Sequence, residues 1–299
     1  MTGLVPRGRF APTPNGPLHF GSLVTAVGSF LDIRSRGGQW LVRMEDLDPP
    51  REQAGAAAAM LRTLESYGLT WDEEVVYQSH RSALYEAAIE QLVKKGLAYY
   101  CRCSRKDIED LALPGIEGFR YPGTCRHLDL DEKNHSLRII VPDEVVGFTD
   151  RLQGTVQQNL QQDIGDFIIR RRDRLYSYQL AVVVDDAEQH ITQVCRGTDL
   201  MDSTPRQLYL QRVLGYPAPA YLHLPVVVDS SGLKLSKQTY ARAVPDGNST
   251  ALVKALEFLG HSVPQDLIGA PPVELLQWGV KSWDISAVPA RKQIHTDFQ

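Results

Sequence analysis

Two distant stretches carry the residue types best suited to chemistry. The first is Arg9-Phe10-Ala11-Pro12-Thr13-Pro14-Asn15-Gly16-Pro17-Leu18-His19-Phe20-Gly21-Ser22. The second is Lys234-Leu235-Ser236-Lys237-Gln238, after a turn at Asp229-Ser230-Ser231-Gly232. In the first, Phe10 and Ala11 are expected to end a short strand. A proline- and glycine-rich loop then enters a helical pattern of Leu23, Val24, Val27, Phe30 and Leu31. Strand, tight loop and helix bring backbone N–H groups and a positive helix end to one point, which suits an anion. Gly16 and Gly21 allow a ligand close to the backbone. His19 can donate a hydrogen bond to a phosphate oxygen. The dinucleotide pattern G-x-G-x-x-G is absent, and no G-K-[ST] follows. In the second stretch, two lysines with a serine between them suit a mobile loop over a polyphosphate, because lysine is a compact charge on a flexible stem. Taken singly, the first stretch also reads as a structural turn and the second as a solvated charged loop.

Other candidates lie between them. Trp40-Leu41-Val42 reads as a buried strand that ends in Arg43-Met44-Glu45-Asp46-Leu47-Asp48-Pro49. Carboxylates at the C-terminal end of a strand sit where open α/β sheets bind ligands. Glu45 is expected to hold an ammonium group. Asp48 is expected to cap a helix with Pro49 at its first position, running through the alanines to about Tyr67. Of the four cysteines, Cys101, Cys103 and Cys125 fall in one irregular segment with Tyr121 and His127. Three soft ligands this close suit tetrahedral zinc in a closed, structural site. Chemistry alone leaves the fourth ligand open, with His127 the ordinary choice. Cys195 is expected to be core.

The elements that must position these groups follow from periodicity. A helix is expected from Ser82 to Lys95, stopped by Gly96. Ser136–Val141 reads as a strand, followed by a hairpin with Phe148-Thr149-Asp150 and Gly154-Thr155-Val156. Asp163–Asp173 reads as a strand into a charged turn, whose Arg170, Arg171 and Arg172 face either RNA phosphates or solvent. The run Tyr176–Asp186, rich in valine, is expected to be a parallel strand buried on both faces. Ile191–Asp199 reads as the next strand and its exit loop, with Arg196 placed to grip a carboxylate bidentately. A helix from Thr204-Pro205 to about Leu214, a strand from Tyr221 to Val228, and helical pieces at Thr250–Leu259 and Val273–Trp278 complete the chain. No internal repeat is evident. The expected division is 1–98 and 176–228 for two halves of one sheet domain, 99–175 for an insertion, and 229–299 for the lysine loop and a helical end.

The two leading stretches together resemble the paired nucleotide-binding motifs of class I aminoacyl-tRNA synthetases. His19-Phe20-Gly21-Ser22 is similar to "HIGH", with Ser22 in place of its last histidine. Lys234-Leu235-Ser236-Lys237-Gln238 is similar to "KMSKS", with Leu235 and Gln238 as departures. Arg9–Pro14, Arg43–Pro49 and Val182-Val183-Val184-Asp185-Asp186 resemble core segments of the glutamyl branch. The resemblance implies a Rossmann-like α/β catalytic domain with a zinc-containing, acceptor-binding-like insertion. It implies an L-glutamate pocket of Arg9, Phe10, Ala11, Pro12, Thr13, Glu45, Tyr178 and Arg196. It implies an ATP site of Pro12, His19, Gly21, Ser22 and Lys237, with magnesium accompanying ATP and with His19, Lys234 and Lys237 as the catalytic set. The family's C-x-C…Y-x-x-x-C pattern implies zinc on Cys101, Cys103, Tyr121 and Cys125. Only about sixty residues follow Gln238, too few for the anticodon-binding domain of full-length glutamyl synthetases. The closest likeness is therefore to their short paralogues, which activate glutamate without tRNA and transfer it to the queuosine base of tRNA(Asp). The rival expectations are a compact glutamyl-tRNA synthetase that charges a tRNA 3′ end and a non-synthetase nucleotidyltransferase.

Composition sets the outer bounds. The 299 residues carry a net charge of −4, so RNA contact requires a local basic patch rather than general attraction. No apolar run approaches the roughly 20 residues that span a bilayer. The start lacks a signal-peptide pattern, and the cytoplasm is the expected compartment, with no obligate protein partner evident. Four cysteines in such a compartment stay reduced or bind metal.

Overall fold

A computed structural model describes residues 5–111, 113–116, 118–229, 232–234 and 242–296. The chain begins with β1 (Arg7–Phe10), α1 (Phe20–Arg34), β2 (Gln39–Met44), α2 (Ala56–Ser66), β3 (Val76–Tyr77) and α3 (Ser82–Lys94). It continues through β4 (Ala98–Cys101), α4 (Arg105–Glu109), β5 (Pro114–Gly115), β6 (Gly118–Phe119), β7 (Ser136–Ile139), β8 (Val145–Asp150), β9 (Gly154–Asn159), α5 (Leu160–Asp163) and β10 (Phe167–Arg170). Then follow α6 (Tyr178–Glu188), β11 (Gln193–Gly197), α7 (Thr204–Leu214), β12 (Ala220–Leu224), β13 (Val226–Val228), α8 (Ser249–Phe258), α9 (Pro272–Ser282) and β14 (Gln293–His295).

The central sheet has the order β12-β11-β1-β2-β3, and all its pairings are parallel. Residues before β4 supply three of its strands, and residues after β10 supply two. Side chains alternate across a strand, and that alternation sorts the chemistry here. Phe10, Trp40, Val42, Met44, Cys195, Leu222 and Leu224 enter the main core with α1, α8 and α9. Their neighbours Arg9, Arg43, Arg196 and His223 therefore point to the opposite face. Leu41, Val194 and Tyr221 on that face pack with Phe148 of β8 and Leu208 of α7.

Between the two groups of strands lies an antiparallel sheet of order β10-β7-β4, and the hairpin β8-β9. Asp166 ties it together. It accepts from Tyr99 Oη at 2.5 Å, from Arg126 Nε and Nη2 at 2.6 Å each, and from the Val141 N–H at 3.0 Å. Its neighbour Gly165 has φ +75°, and a Cβ there would lie 2.0 Å from the Tyr121 carbonyl oxygen.

Four expectations are corrected. Tyr176–Asp186 contains helix α6 rather than a strand. Ser177 caps it by accepting from the Leu180 N–H at 3.3 Å. Every residue from Leu180 to Asp186 is buried, so the run has no polar face to reveal a helical period. The helix through the alanines begins at Ala56, not after Asp48. Pro49–Arg51 form one 3₁₀ turn without a side-chain cap, and Gly55 at φ 80° redirects the chain. Tyr221–Val228 is two strands, because Pro225 between them has no N–H for a ladder. β12 pairs with β11, and β13 pairs with β14. Finally, Arg170 at the end of β10 is interior, facing neither RNA nor solvent, while Arg171 and Arg172 are exposed as the solvent alternative expected. Arg170 is buried against Glu86 and Glu132, Arg171 meets Asp48 and Asp173, and Arg172 donates to the Arg102 carbonyl.

A Gly165→Ala protein is expected to lose about 1–3 kcal/mol of stability or more, through the left-handed backbone and the blocked approach to Tyr121. Urea unfolding monitored by circular dichroism measures it. A midpoint equal to the parent's would show that this approach does not limit the fold.

Candidate functional site

One cleft of about 610 Å³ opens at the C-terminal ends of β1, β2 and β11. Arg9, Phe10, Ala11, Pro12, Thr13, Glu45, Tyr178 and Arg196 line it, and so do His19, Gly21, Ser22 and Lys234. Residues expected to bind an amino acid thus share a single cavity with the helix start expected to bind phosphate. Lys237 lies outside the described residues, as do Leu235, Ser236 and Gln238.

The helix start is arranged by His19. It caps α1, and its Nδ1 accepts the Ser22 N–H at 3.2 Å. An accepting Nδ1 leaves the ring proton on Nε2, the atom that can donate to an anion. The chain downstream of the lysine loop returns to this place. Ala243 forms an antiparallel bridge with His19, and the Val244 N–H donates to the Leu18 carbonyl at 2.9 Å. Lys234 itself bridges to Val228, and its Nζ meets Asp199, which also lines the cleft.

Beneath the cleft floor lies a network of buried charges. Arg9 Nε and Nη2 donate to Asp186 at 3.0 and 3.4 Å. Arg43 Nη2 donates to the same carboxylate at 2.8 Å, and its Nη1 donates to Gln189 Oε1 at 2.7 Å. Asp185 accepts from Gln78 Nε2 at 2.7 Å, Arg81 Nε at 2.6 Å and Tyr85 Oη at 2.9 Å. Burial alone would raise the Asp186 carboxyl, but Arg9 and Arg43 more than offset it and hold the group below the usual range. Glu45 has a weaker hold: its Oε1 is 3.6 Å from Arg43 Nη2, and its side chain is 11% exposed. Burial pushes Glu45 up to about 7, against the pull of Arg43 and Arg9. It is therefore poised to ionise when a cation arrives. Asp46, by contrast, is structural, accepting from the Ser79 N–H at 2.8 Å and the Ser79 hydroxyl at 2.6 Å.

Arg196 is bound more tightly than a freely offered fork. Its Nε donates to His223 Nε2 at 3.1 Å, and its Nη2 donates to Thr204 Oγ1 at 2.7 Å and the Leu200 carbonyl at 3.3 Å. Its Nη1 donates to Tyr178 Oη at 3.2 Å. Among the described residues, that leaves one of the five guanidinium N–H bonds, beside a Tyr178 hydroxyl that can itself donate. In this arrangement Arg196 presents one N–H beside the Tyr178 hydroxyl rather than an unengaged two-pronged fork. Burial pushes the Cys195 thiol well up, so it stays protonated and is no nucleophile.

A separate cluster joins β4 to the segment after β6. The Sγ atoms of Cys101, Cys103 and Cys125 lie within 4.8 Å of one another. Cys103 and Cys125 Sγ are 3.6 Å apart, and the separation of two sulfurs on a tetrahedral zinc is about 3.8 Å. Tyr121 Oη is 3.3 Å from Cys101 Sγ and 3.7 Å from Cys103 Sγ. A zinc-bound oxygen would stand about 3.5 Å from each sulfur. The donor set thus fits zinc, with the Tyr121 oxygen further steadied by the Cys125 N–H at 2.9 Å. His127 is exposed and does not belong to the group.

Sequence reasoning assigned no role to Arg43, Asp186, Asp150 or His223. A signal existed for the first two: each is a charge embedded in an apolar run, and such a charge must have a partner.

The geometry has counterparts. The family model "tRNA synthetases class I (E and Q), catalytic domain" matches residues 6–265. A relative from Ectopseudomonas mendocina, named glutamyl-Q tRNA(Asp) synthetase, is 52% identical over 96% of both chains. One of the same name from Pseudomonas aeruginosa is 53% identical over 94% of both. Among solved structures, the glutamate-tRNA synthetase of Elizabethkingia anophelis superposes with a TM-score of 0.81 at 23% identity. That match spans 99% of this chain and 68% of the other, and it speaks for the fold alone. The parallel sheet, the capped helix start and the near-full-length identity place this chain in the class I tRNA synthetases of the glutamyl and glutaminyl branch, within the glutamyl-Q tRNA(Asp) synthetase family.

Proposed function

We propose that this chain activates L-glutamate with ATP, without tRNA, to glutamyl-AMP and pyrophosphate, and then transfers the glutamyl group to the queuosine base in the anticodon of tRNA(Asp). The carrying observation is that one cleft joins an anion-suited helix start to charges that complement a dicarboxylic amino acid. Arg9 and the Arg196–Tyr178 pair suit two carboxylates, and Glu45 suits one ammonium group. Phe10, Ala11, Pro12 and Thr13 form the wall between them. The names of relatives about half identical over nearly the whole chain support the tRNA target.

In the first step the α-carboxylate oxygen of glutamate attacks the α-phosphorus of ATP. The bond from that phosphorus to the bridging oxygen breaks, and pyrophosphate leaves with the electron pair. The nucleophile arrives as an anion, so no general base is required. The rate depends on positioning and on neutralising developing charge. Pro12, His19, Gly21 and Ser22 would face the nucleotide, and Lys234 and Lys237 would meet the charge on the leaving phosphates. Magnesium, accompanying ATP, would neutralise phosphate charge. In the second step a nucleophilic atom of the modified base attacks the glutamyl carbonyl carbon, the bond from that carbon to the phosphate oxygen breaks, AMP leaves with the electron pair, and the nucleophile's proton passes to water. Zinc on Cys101, Cys103, Tyr121 and Cys125 would supply a closed structural crosslink. Residues 99–175, which contain it, would form the tRNA-facing insertion. The substrates point to the cytoplasm as the working compartment.

Pyrophosphate exchange should be driven by glutamate without tRNA, and not by aspartate or glutamine. The glutamyl label should then reach queuosine-containing tRNA(Asp). Label on the 3′ end of tRNA(Glu) would instead make this a conventional charging enzyme. A Lys237→Ala protein should lose about 10²–10³-fold in exchange while still binding glutamate, and near-normal exchange would remove Lys237 from the chemistry.

Because Glu45 titrates near 7, it is neutral below that pH and ionised above it. The KM for glutamate should therefore fall as the pH rises from about 6 to 8. Glu45→Gln should raise KM and flatten that slope. A slope that survives in Glu45→Gln would assign it to another group.

Metal analysis of the purified protein should find one zinc per chain. Tyr121→Phe should weaken retention against a chelator, whereas His127→Ala should not. The reverse pattern would give the fourth position to His127.

A further inference from the structure

Arg196 is held from behind by a side chain that never reaches the cleft. His223 is 0% exposed and lies one strand away, on β12, facing the same side of the sheet. Its Nε2 lies 3.3 Å from the Thr204 hydroxyl, which accepts from Arg196 Nη2, and it receives the Arg196 Nε–H at 3.1 Å. A guanidinium only donates, so that nitrogen must be bare, and the ring proton must sit on Nδ1. Nδ1 is 2.7 Å from Asp150 Oδ2 at the end of β8. Asp150 is itself fixed by the N–H groups of Leu152 and Gln153, each at 2.9 Å, and of His223 at 3.0 Å. The Tyr221 ring stacks on the imidazole with centroids 6.0 Å apart and planes 4° apart. A carboxylate of the hairpin β8-β9 thus dictates the tautomer of a buried histidine, and that tautomer supplies the acceptor that aims Arg196.

We propose that His223, oriented by Asp150, is a positioning residue that fixes the Arg196 guanidinium for a substrate carboxylate, so that residues outside the cleft set its affinity for glutamate. This rests on the glutamate reading of the cleft. With the acceptor at Nε2 in place, four of the Arg196 N–H bonds are committed and the remaining one points beside Tyr178. Without it, the Nε side of the guanidinium is left unanchored while Nη1 and Nη2 keep their partners, and any freedom gained must be surrendered on binding.

Two substitutions separate this role from packing. The amide nitrogen of Asn reaches the position of Nδ1, so His223→Asn keeps the bond to Asp150 and deletes the acceptor for Arg196. The longer Gln places an amide oxygen near Nε2, so His223→Gln restores that acceptor. His223→Asn is expected to raise the KM for glutamate in pyrophosphate exchange about 10-fold or more. Its kcat and its KM for ATP should stay within about twofold of the parent's, and His223→Gln should recover most of the loss. Equal effects of Asn and Gln, or a fall in kcat alone, would overturn the proposal. Should His223→Asn fail to fold, Asp150→Asn offers a second route. Its amide can donate to Nδ1 and turn the ring proton towards Arg196. It should raise the glutamate KM in the parent and add nothing in the His223→Gln background, whereas additive effects would refute the coupling. Arg196→Ala distinguishes the layers. If it raises the glutamate KM and His223→Asn does not, the positioning role fails and the pocket stands. If Arg196→Ala changes nothing, the pocket reading fails and the proposal with it.

Discussion

The arginines under the cleft floor depend on a charge that never reaches the cleft. Asp186 stands on α6, buried from Leu180 to Asp186, and receives Arg9 from β1 and Arg43 from β2. Removing such groups from water is costly, and only close partners offset the cost. The pairing therefore does two things. It docks α6 against the polar face of the sheet at one register, and it orients Arg9 before any ligand arrives. Glu45 is the counterweight. Arg43 serves Asp186 at 2.8 Å and Glu45 at only 3.6 Å, so the nearer carboxylate stays charged and the farther one titrates near 7. Two acids within reach of one arginine have been driven apart in acidity by burial and distance. One becomes scaffold, and the other lines the cleft with a weaker hold.

The same economy appears across the sheet. Strand alternation sends one set of side chains into the apolar core and brings Arg9, Arg43, Arg196 and His223 to the other face, beside a smaller apolar cluster of Leu41, Val194 and Tyr221. Arg9 and Arg196 emerge there from strands that are adjacent in space but nearly two hundred residues apart in sequence. Each reaches the cleft with its guanidinium already engaged by a buried partner, Asp186 in one case and His223 in the other. The site is thus built from donors whose directions were set during folding, the condition under which electrostatic recognition needs least reorganisation.

Much of this was legible in the chain. Arg9, His19, Glu45 and Arg196 announced themselves by lying at strand ends or a helix start, and the three cysteines by their spacing. Helix α6 was not legible. Its valines are buried all round, and a helix without a polar face leaves no period to read. Arg170–Arg172 misled in the opposite way: a run of like charge looks solvated in one dimension, yet Arg170 is interior because Glu86 and Glu132 come to it from elsewhere in the chain. His223 offered no cue, since its significance lies in a tautomer fixed by a residue seventy-three positions away.

The bridges that flank the lysine loop amount to a tether. Val228 pairs with Lys234 on one side, and Ala243 pairs with His19 on the other. Eight residues, 235–242, lie between these anchors. The entropy of closing that loop is spent when the protein folds, not when a nucleotide binds. The two ends of the span are therefore fixed before any ligand arrives, one at Lys234 beside Asp199 and the other at Ala243 beside His19, as the posts of a gate stand whether or not anything passes.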